Sequence, residues 1–526
     1  MDAVATITWI VAFVVVTVTI TGLTGRVGWS APVALVAVGG AVSFIPAVPQ
    51  VTVQPEFVLY GLLPPLLFAA AIRTSFVDIR ARNDSILILS IGLVAFSVVI
   101  IGFTTWLLVP AITLAAGFAF AAVVAPTDAV AVTAIAGKVG LPRRVVTILE
   151  GESLLNDATA LVALNAAIAA IVSVVNPGTI VLDFALAVVG GVVVGLAIGF
   201  VVSAIRRQLH SPVLDTSISL VTPFLAFLIA QFIHGSGVLA VVIAGIFLGT
   251  RSPTVSSAEA RVAERLNWRT IQFLLENAVF LFIGLNLAHI LEGAIRTGPG
   301  LWPTIGICAA ILVALVLSRF AWVMTTTLIY RRGPKRLRVR SWSWRNGVAV
   351  ASSGVRGVVT LAAVFLLPDG TPGREFLQFL AFVVVVASLV GGLALPTIIR
   401  ALKLPATNVM QEITERQMLL AEARQAGIVR LEEEASEADE ARVVARLRVD
   451  AAFLKETLDN YSPEDALPQL NSFIRLRKSM IQAERKAVLA ARREGRYQEP
   501  AVVSVLKGID AEETSLRAMA PKNLGE

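Results

Sequence analysis

The 526-residue sequence contains one cysteine, three histidines and four tyrosines. A single cysteine, Cys308, excludes an intrachain disulfide framework and any multi-cysteine metal site; lying in an apolar segment, it reads as a small buried hydrophobe. The histidines, His210, His234 and His289, are scattered at the ends of apolar runs. No HExxH, P-loop or G-x-S-x-G sequence occurs, so nothing points to an enzyme built on a metal, a nucleotide or a serine nucleophile, and no cofactor is implied. Charge is scarce too, at 15% of residues against roughly 25% in soluble domains. About half of the charged residues lie beyond Ala401, in less than a quarter of the length. The net charge of +7 would suggest a nucleic-acid partner if the basic residues formed one patch. They occupy short loops between apolar runs instead, which argues against that partner. No basic stretch precedes the first apolar run and no clear small-residue cleavage site appears before Arg26, so that run reads as a retained span.

What the chain has in excess is apolar surface. Hydrophobic residues make up 56% of the sequence and mean hydropathy is +0.79, more than a soluble core can absorb. Runs of about 20 apolar residues, enough to cross a bilayer, occur near 4–24, 57–76, 86–109, 144–173, 180–204, 213–233, 270–290, 302–329 and 376–399. Four more, near 31–48, 112–136, 236–250 and 346–367, are short or interrupted by Gly, Pro or charge. The expectation is an all-α polytopic membrane protein with about thirteen transmembrane helices over residues 1–402, followed by a charged helical tail over 403–526.

The loops test this count, because cytoplasmic loops collect Lys and Arg. Basic clusters follow the third span (Arg73, Arg80, Arg82), the fifth (Lys138, Arg143, Arg144), the seventh (Arg206, Arg207), the ninth (Arg251, Arg261, Arg265) and the eleventh (Arg331 to Arg340). Intervening loops are nearly free of them, Arg296 and Arg374 excepted. An odd number of spans then puts the N-terminus outside and the tail in the cytoplasm, with the protein in the inner or plasma membrane.

Ionisable groups inside a bilayer cost about 2.5–3.5 kcal/mol each on insertion scales, so those present mark pathways or pairs. The fifth span reads APTDAVAV from Ala125. Pro126 cannot donate to its helix and clashes with the preceding turn, freeing carbonyls beside the Thr127 hydroxyl and the Asp128 carboxylate. Such an oxygen-rich break suits a hard, dehydrated cation; a kinked helix capped by Asp128 is the bland alternative, and the two are compatible. The sixth span begins LEGESLLNDATALV at Leu149. Residues four apart share a helix face, so Ser153 stacks with Asp157 and Glu152 with Asn156 on the neighbouring face. Glu150 falls near the interface. Arg319 in the eleventh span, Glu276 in the tenth and Arg356 in the twelfth each call for a partner, since an isolated buried ion costs several kcal/mol; a structural salt bridge is the plain reading of all three. Around Arg356, the residues Ser352, Ser353, Gly354 and Gly357 make a weak helix. The interrupted fifth and twelfth spans occupy matching positions if the chain is two six-helix inverted repeats about the seventh span, a secondary-transporter pattern.

LPPLLF from Leu63, PTDAVAV, GESLLNDA, ENAVFLFIGL and SGVRG stand in the order and spacing of the monovalent cation:proton antiporters, and the chain resembles their first subgroup, of bacterial and archaeal sodium/proton antiporters and animal sodium/proton exchangers. The resemblance covers residues 1–402. It implies a homodimer embedded in lipid, with alternating access between a dimer domain and a moving core whose broken fifth and twelfth helices cross at the ion site. Carried over by residue, Asp157 is the main ion- and proton-binding carboxylate, and Asp128, Ser153 and Thr127 complete the site, with Na+ held at Asp128, Ser153 and Asp157. Asn156 is the neutral member of an Asn–Asp pair, which suggests one cation per proton. Glu152 pairs with Arg319, and Arg356 steadies the broken twelfth helix. One departure is Ala69, where many prokaryotic relatives carry an acid, and it bears on selectivity among Na+, Li+ and K+.

The activity expected is exchange of Na+, or of Li+ or K+, for H+ by competition at one buried aspartate, with a role in pH homeostasis. The alternatives are a K+-selective antiporter, an uncoupled channel with the same ion site, a membrane-embedded enzyme, and a sensor whose tail is the working part.

Overall fold

The computed structural model describes residues 3–27, 29–46, 57–74, 76–128, 132, 141–172, 177–209, 211–334, 342–404, 425–433, 475–488, 490 and 499–519. Among them the chain is all-helical, with no strand. It divides into two compact units, Met1–Ala406 and Thr407–Glu526.

In the first unit the helices are α1 (Ala3–Val27), α2 (Ala31–Ser43), α3 (Leu63–Ala71), α4 (Asn83–Leu108), α5 (Leu114–Val124), α6 (Arg143–Val172), α7 (Pro177–Arg206) and α8 (Pro212–Phe232). There follow α9 (Gly237–Val255), α10 (Ala258–Leu285), α11 (Leu287–Thr297), α12 (Leu301–Arg332), α13 (Trp344–Ser352), α14 (Val358–Val364), α15 (Arg374–Gly392) and α16 (Leu395–Ala401). Eight helices among the described residues are long and apolar enough to cross a membrane, and four shorter apolar helices accompany them. Starts are written locally. Thr113, Ser236, Ser257 and Ser343 each accept a hydrogen bond from the amide three residues on, satisfying a donor that the first turn leaves free. Proline opens α2, α3 and α8, where its missing N–H costs nothing.

Packing relies on small residues, as it must where lipid competes for apolar contact. Gly191, Gly195 and Gly199 form a ladder along α7, and a Cβ at Gly195 would lie 2.6 Å from the Ala240 carbonyl oxygen of α9. Leu186, Val189, Val193 and Phe200 of the same helix are exposed. A contiguous surface of this kind is tolerated in lipid and not in water, and the protein is a multi-pass membrane protein. Gly39 of α2 and Gly284 of α10 likewise meet backbone to backbone.

Two buried stretches of the described residues are not helical. α5 stops at Val124 and residues 125–128 are non-helical; Ala129 to Ala131 lie outside the described residues. Residues 353–357 separate α13 from α14 without helical structure.

In the second unit, Ile481 of helix 475–488 packs with Ile509 and Leu516 of helix Glu499–Met519. Arg477 pairs with Glu484 at 2.8 Å and Glu512 at 2.7 Å, and Arg485 with Asp510 at 2.6 Å and Glu513 at 2.7 Å. Solvent screens pairs like these, so among the described residues the small apolar cluster, which Val488 also packs against, and a charge lattice join the two helices.

Candidate ion-binding cavity

Pro126 ends α5, and the backbone groups it frees find partners in the second break. The Asp128 amide donates to the Val355 carbonyl at 2.8 Å. In return, Arg356 Nε donates to the Val124 carbonyl at 3.3 Å. The two interrupted segments thus satisfy each other at the point where each has lost its helix, as unpaired backbone in an apolar layer requires. Arg356 also donates to its own Gly354 carbonyl, and its amide to the Ser388 hydroxyl at 3.0 Å. Among the described residues its guanidinium thus bonds to carbonyls and forms no salt bridge: the non-helical segments supply carbonyl dipoles in a carboxylate's place. Gly357 lies directly against Asp128, leaving no room for a side chain there.

α6 sorts its polar residues by face, as four-residue spacing dictates. Glu152 and Asn156 turn inward and are each only 1% exposed. Glu152 makes a forked pair with Arg319 of α12, Oε1 to Nη1 at 2.6 Å and Oε2 to Nη2 at 3.1 Å. It also accepts the Thr127 hydroxyl at 3.1 Å. Arg319 donates further to the Val350 carbonyl near the end of α13, at 3.0 Å from Nη2. The Asn156 amide donates to the Thr127 hydroxyl at 3.1 Å and the Thr127 carbonyl at 3.3 Å. This face is a structural knot joining α6, α12, α13 and the α5 break.

Ser153 and Asp157, on the other face, open onto a cavity of about 410 Å³. Pro126, Thr127 and Asp128 form one wall, Gly357, Val359 and Thr360 a second, and Leu66, Leu67, Ala70, Arg73 and Thr74 at the end of α3 a third. Gln272 and Glu276 of α10, with Glu150 and Leu154 of α6, complete it. All four residues assigned to ion binding thus border one space: Asp157, Asp128, Ser153 and Thr127. Among the described residues no group of three or more His, Cys, Asp or Glu side chains converges to hold a metal. The carboxylates and hydroxyls that border this space are oxygen donors of the kind a hard cation takes. Ala69 is fully buried in the apolar core.

Glu276 accepts a hydrogen bond from Gln272, one turn earlier on α10, and Gln272 in turn accepts one from Arg73. Glu276 is thus linked to a cation through an amide. Sequence reading treated Arg73 as an ordinary loop cation and passed over Gln272. The available signal was spacing: Glu264, Trp268, Gln272 and Glu276 recur every four residues along α10. Trp268 packs on Phe68 of α3 with ring centroids 4.9 Å apart and donates to the Ser219 hydroxyl at 2.9 Å. Ser219 donates to Glu264 at 2.6 Å, and Glu264 lies 3.0 Å from Arg206, which also pairs with Asp215. Arg206, Asp215 and Glu264 are all buried, tying α7, α8 and α10 together in a network the loop reading did not anticipate.

A model of the transmembrane sodium/hydrogen exchanger family matches residues 11–401. The chain is similar to an uncharacterized Na(+)/H(+) exchanger of Mycobacterium bovis, 31% identical over 523 residues and covering 96% of this chain and 95% of that protein. It is also similar to a sodium, potassium, lithium and rubidium/H(+) antiporter of Bacillus subtilis, 32% identical over 378 residues, 68% of this chain and 56% of that one. Among solved structures it resembles the sodium proton antiporter of Methanocaldococcus jannaschii at pH 8, with TM-score 0.64 and 18% identity, covering 76% of this chain and 99% of that one.

Proposed function

The chain belongs to the sodium/hydrogen exchanger family, and from that premise we propose that it exchanges Na+ for H+ by competition of the two ions for Asp157, with Asp128, Ser153 and Thr127 completing the cation site. The observation that carries this reading is the division of α6: Ser153 and Asp157 face the cavity across from Asp128, while Glu152 and Asn156 are consumed by structural bonds. A carboxylate that is tied up in a salt bridge cannot cycle between proton and cation; one facing a cavity can.

Asp157 binds either H+ or Na+, and the other ion must leave first. One site of this kind couples two opposing fluxes as long as it opens to only one side at a time. Asn156, neutral and holding Thr127, adds no second proton, so exchange is one for one and electroneutral. Glu152–Arg319 and the reciprocal α5–α13/α14 bonds hold the site as a unit, so that it moves with its helices. The exposed residues of the cavity wall, Arg73 and Glu150, place its mouth beside the basic loop after α3. By the positive-inside rule that loop is cytoplasmic, and the state described opens inward.

The reading extends to thirteen spans, the interrupted α13 and α14 forming the twelfth, arranged as two inverted repeats in a homodimer of the cell membrane. The N-terminus is outside and the tail beyond residue 403 is cytoplasmic. Li+ and K+ belong in the same test, since the Bacillus subtilis relative is named for several alkali cations. That test is proton efflux from acid-loaded proteoliposomes on addition of Na+, Li+ or K+, comparing the intact chain with Asp157→Asn. Cation-dependent alkalinisation that vanishes in the variant is expected, at a rate independent of a clamped membrane potential. Flux that persists in the variant sinks the assignment of Asp157, and potential-dependent turnover sinks electroneutrality.

A further inference from the structure

Among the described residues the cavity is lined by four carboxylates, Asp128, Glu150, Asp157 and Glu276, and by one guanidinium, Arg73. Arg73 is anchored twice: its Nε donates to the Ala69 carbonyl at 3.0 Å, at the end of α3, and a terminal nitrogen donates to the Gln272 side-chain oxygen. With its oxygen engaged in this way, the Gln272 amide has its NH2 directed at Glu276, to which it donates. The positive charge is therefore held at the mouth and its field is passed to Glu276 through an oriented amide. Arg73 also interacts electrostatically with Glu276, with Glu150 and, repulsively, with Arg269 of α10; Arg269 is exposed and does not line the cavity. Glu276 in turn feels Asp128 across the space. A carboxylate-rich cavity with no counter-charge would hold cations well but release them slowly, and a transporter must do both in every cycle.

We infer that Arg73, acting with Gln272 on Glu276, is the built-in counter-charge that sets the cation affinity of the cavity, a specificity-determining residue for the exchange that works from the mouth without touching the ion. This rests on the proposed use of the cavity as the ion site. Removing the charge deepens the negative potential, so the cation binds more tightly and leaves more slowly. Apparent KM and maximal rate then fall together, a combination that loosened packing does not produce, because it lowers rate without improving affinity.

The experiment is Na+ titration of proton efflux, at an outside pH high enough that KM no longer changes with pH so that a parallel rise in proton affinity cannot mask the effect, from proteoliposomes containing the full chain, Arg73→Gln, Arg73→Lys, Glu276→Gln and the Arg73→Gln/Glu276→Gln double variant. Arg73→Gln is expected to lower the apparent KM for Na+ roughly three- to tenfold, the range for one unit charge in a partly screened site, with a lower maximal rate. Arg73→Lys keeps the charge and stays within about twofold of the unmodified chain, Glu276→Gln raises KM, and the double variant returns toward the original value, as opposing charges should. An unmoved KM in Arg73→Gln, or a Lys variant that behaves like the Gln variant, overturns the counter-charge. If Arg73→Gln does not fold, Glu276→Gln decides alone: an unmoved KM there refutes the link. Absence of cation-driven flux in the unmodified chain would instead refute the proposed exchange, so the two failures are separable.

Discussion

Replacing Gly357 by alanine should cripple transport for a purely steric reason. The backbone there has φ −126°, which any residue adopts, so conformational freedom is not what requires glycine. The added methyl would lie 2.5 Å from Cγ and 2.6 Å from Cβ of Asp128, with the carboxylate oxygen closer still. Ordinary contact between carbons is about 3.5–4.0 Å, so Asp128 or the 353–357 segment must give way by about 1 Å. Neither can do so freely, because the Asp128 amide is bonded to Val355, two residues before the glycine. A displacement of that size in a positioned group costs about a hundredfold in rate, with overpacking adding about 1–3 kcal/mol of destabilisation. The assay is Na+-driven proton efflux per folded protein in proteoliposomes, with unfolding in detergent followed in parallel. Gly306→Ala is the control: it sits in α12 with nothing within 4 Å, and should be neutral or stabilising by about 0.5–1 kcal/mol. If Gly357→Ala turns over within a few-fold of the unmodified chain, the close approach of the two breaks is not a feature of the working site.

Arg319→Ala strands Glu152, 1% exposed, with the Thr127 hydroxyl as its remaining side-chain partner among the described residues, and should destabilise by about 3–5 kcal/mol; thermal unfolding in detergent measures it, and a change below about 1 kcal/mol would refute the pairing. The Glu152→Leu/Arg319→Met double variant should recover most of that loss, since exchanging both ions for apolar groups leaves no unpaired charge. Competition at one carboxylate fixes the sign of the pH effect: protons displace Na+, so apparent KM rises as pH falls, by about tenfold per unit at the acid limit for a single shared proton. A KM independent of pH across the active range would rule out a common site.

Membrane residence was legible in the sequence because it depends on length and composition: a run of about twenty apolar residues crosses a bilayer whatever its neighbours are. The all-helical class follows, since isolated backbone in lipid must satisfy itself. The two faces of α6 were equally legible, because 3.6 residues per turn separates Ser153 and Asp157 from Glu152 and Asn156 with no tertiary information. Pro126 marked the end of α5 at Val124 by the same local logic.

What periodicity could not supply was which face meets which neighbour. That Arg356 bonds the carbonyls of broken helix ends, that Gly357 is forbidden a side chain by Asp128, and that Arg206 is buried with Asp215 and Glu264 all depend on approaches between segments far apart in the chain. The sharpest case is Arg73, in sequence one more basic residue after a span, and in space a cation at the edge of a cavity lined by carboxylates, bonded to an amide 199 residues away. Local pattern determines what a residue can do within its own helix; only the packing of distant helices determines whose charge it answers.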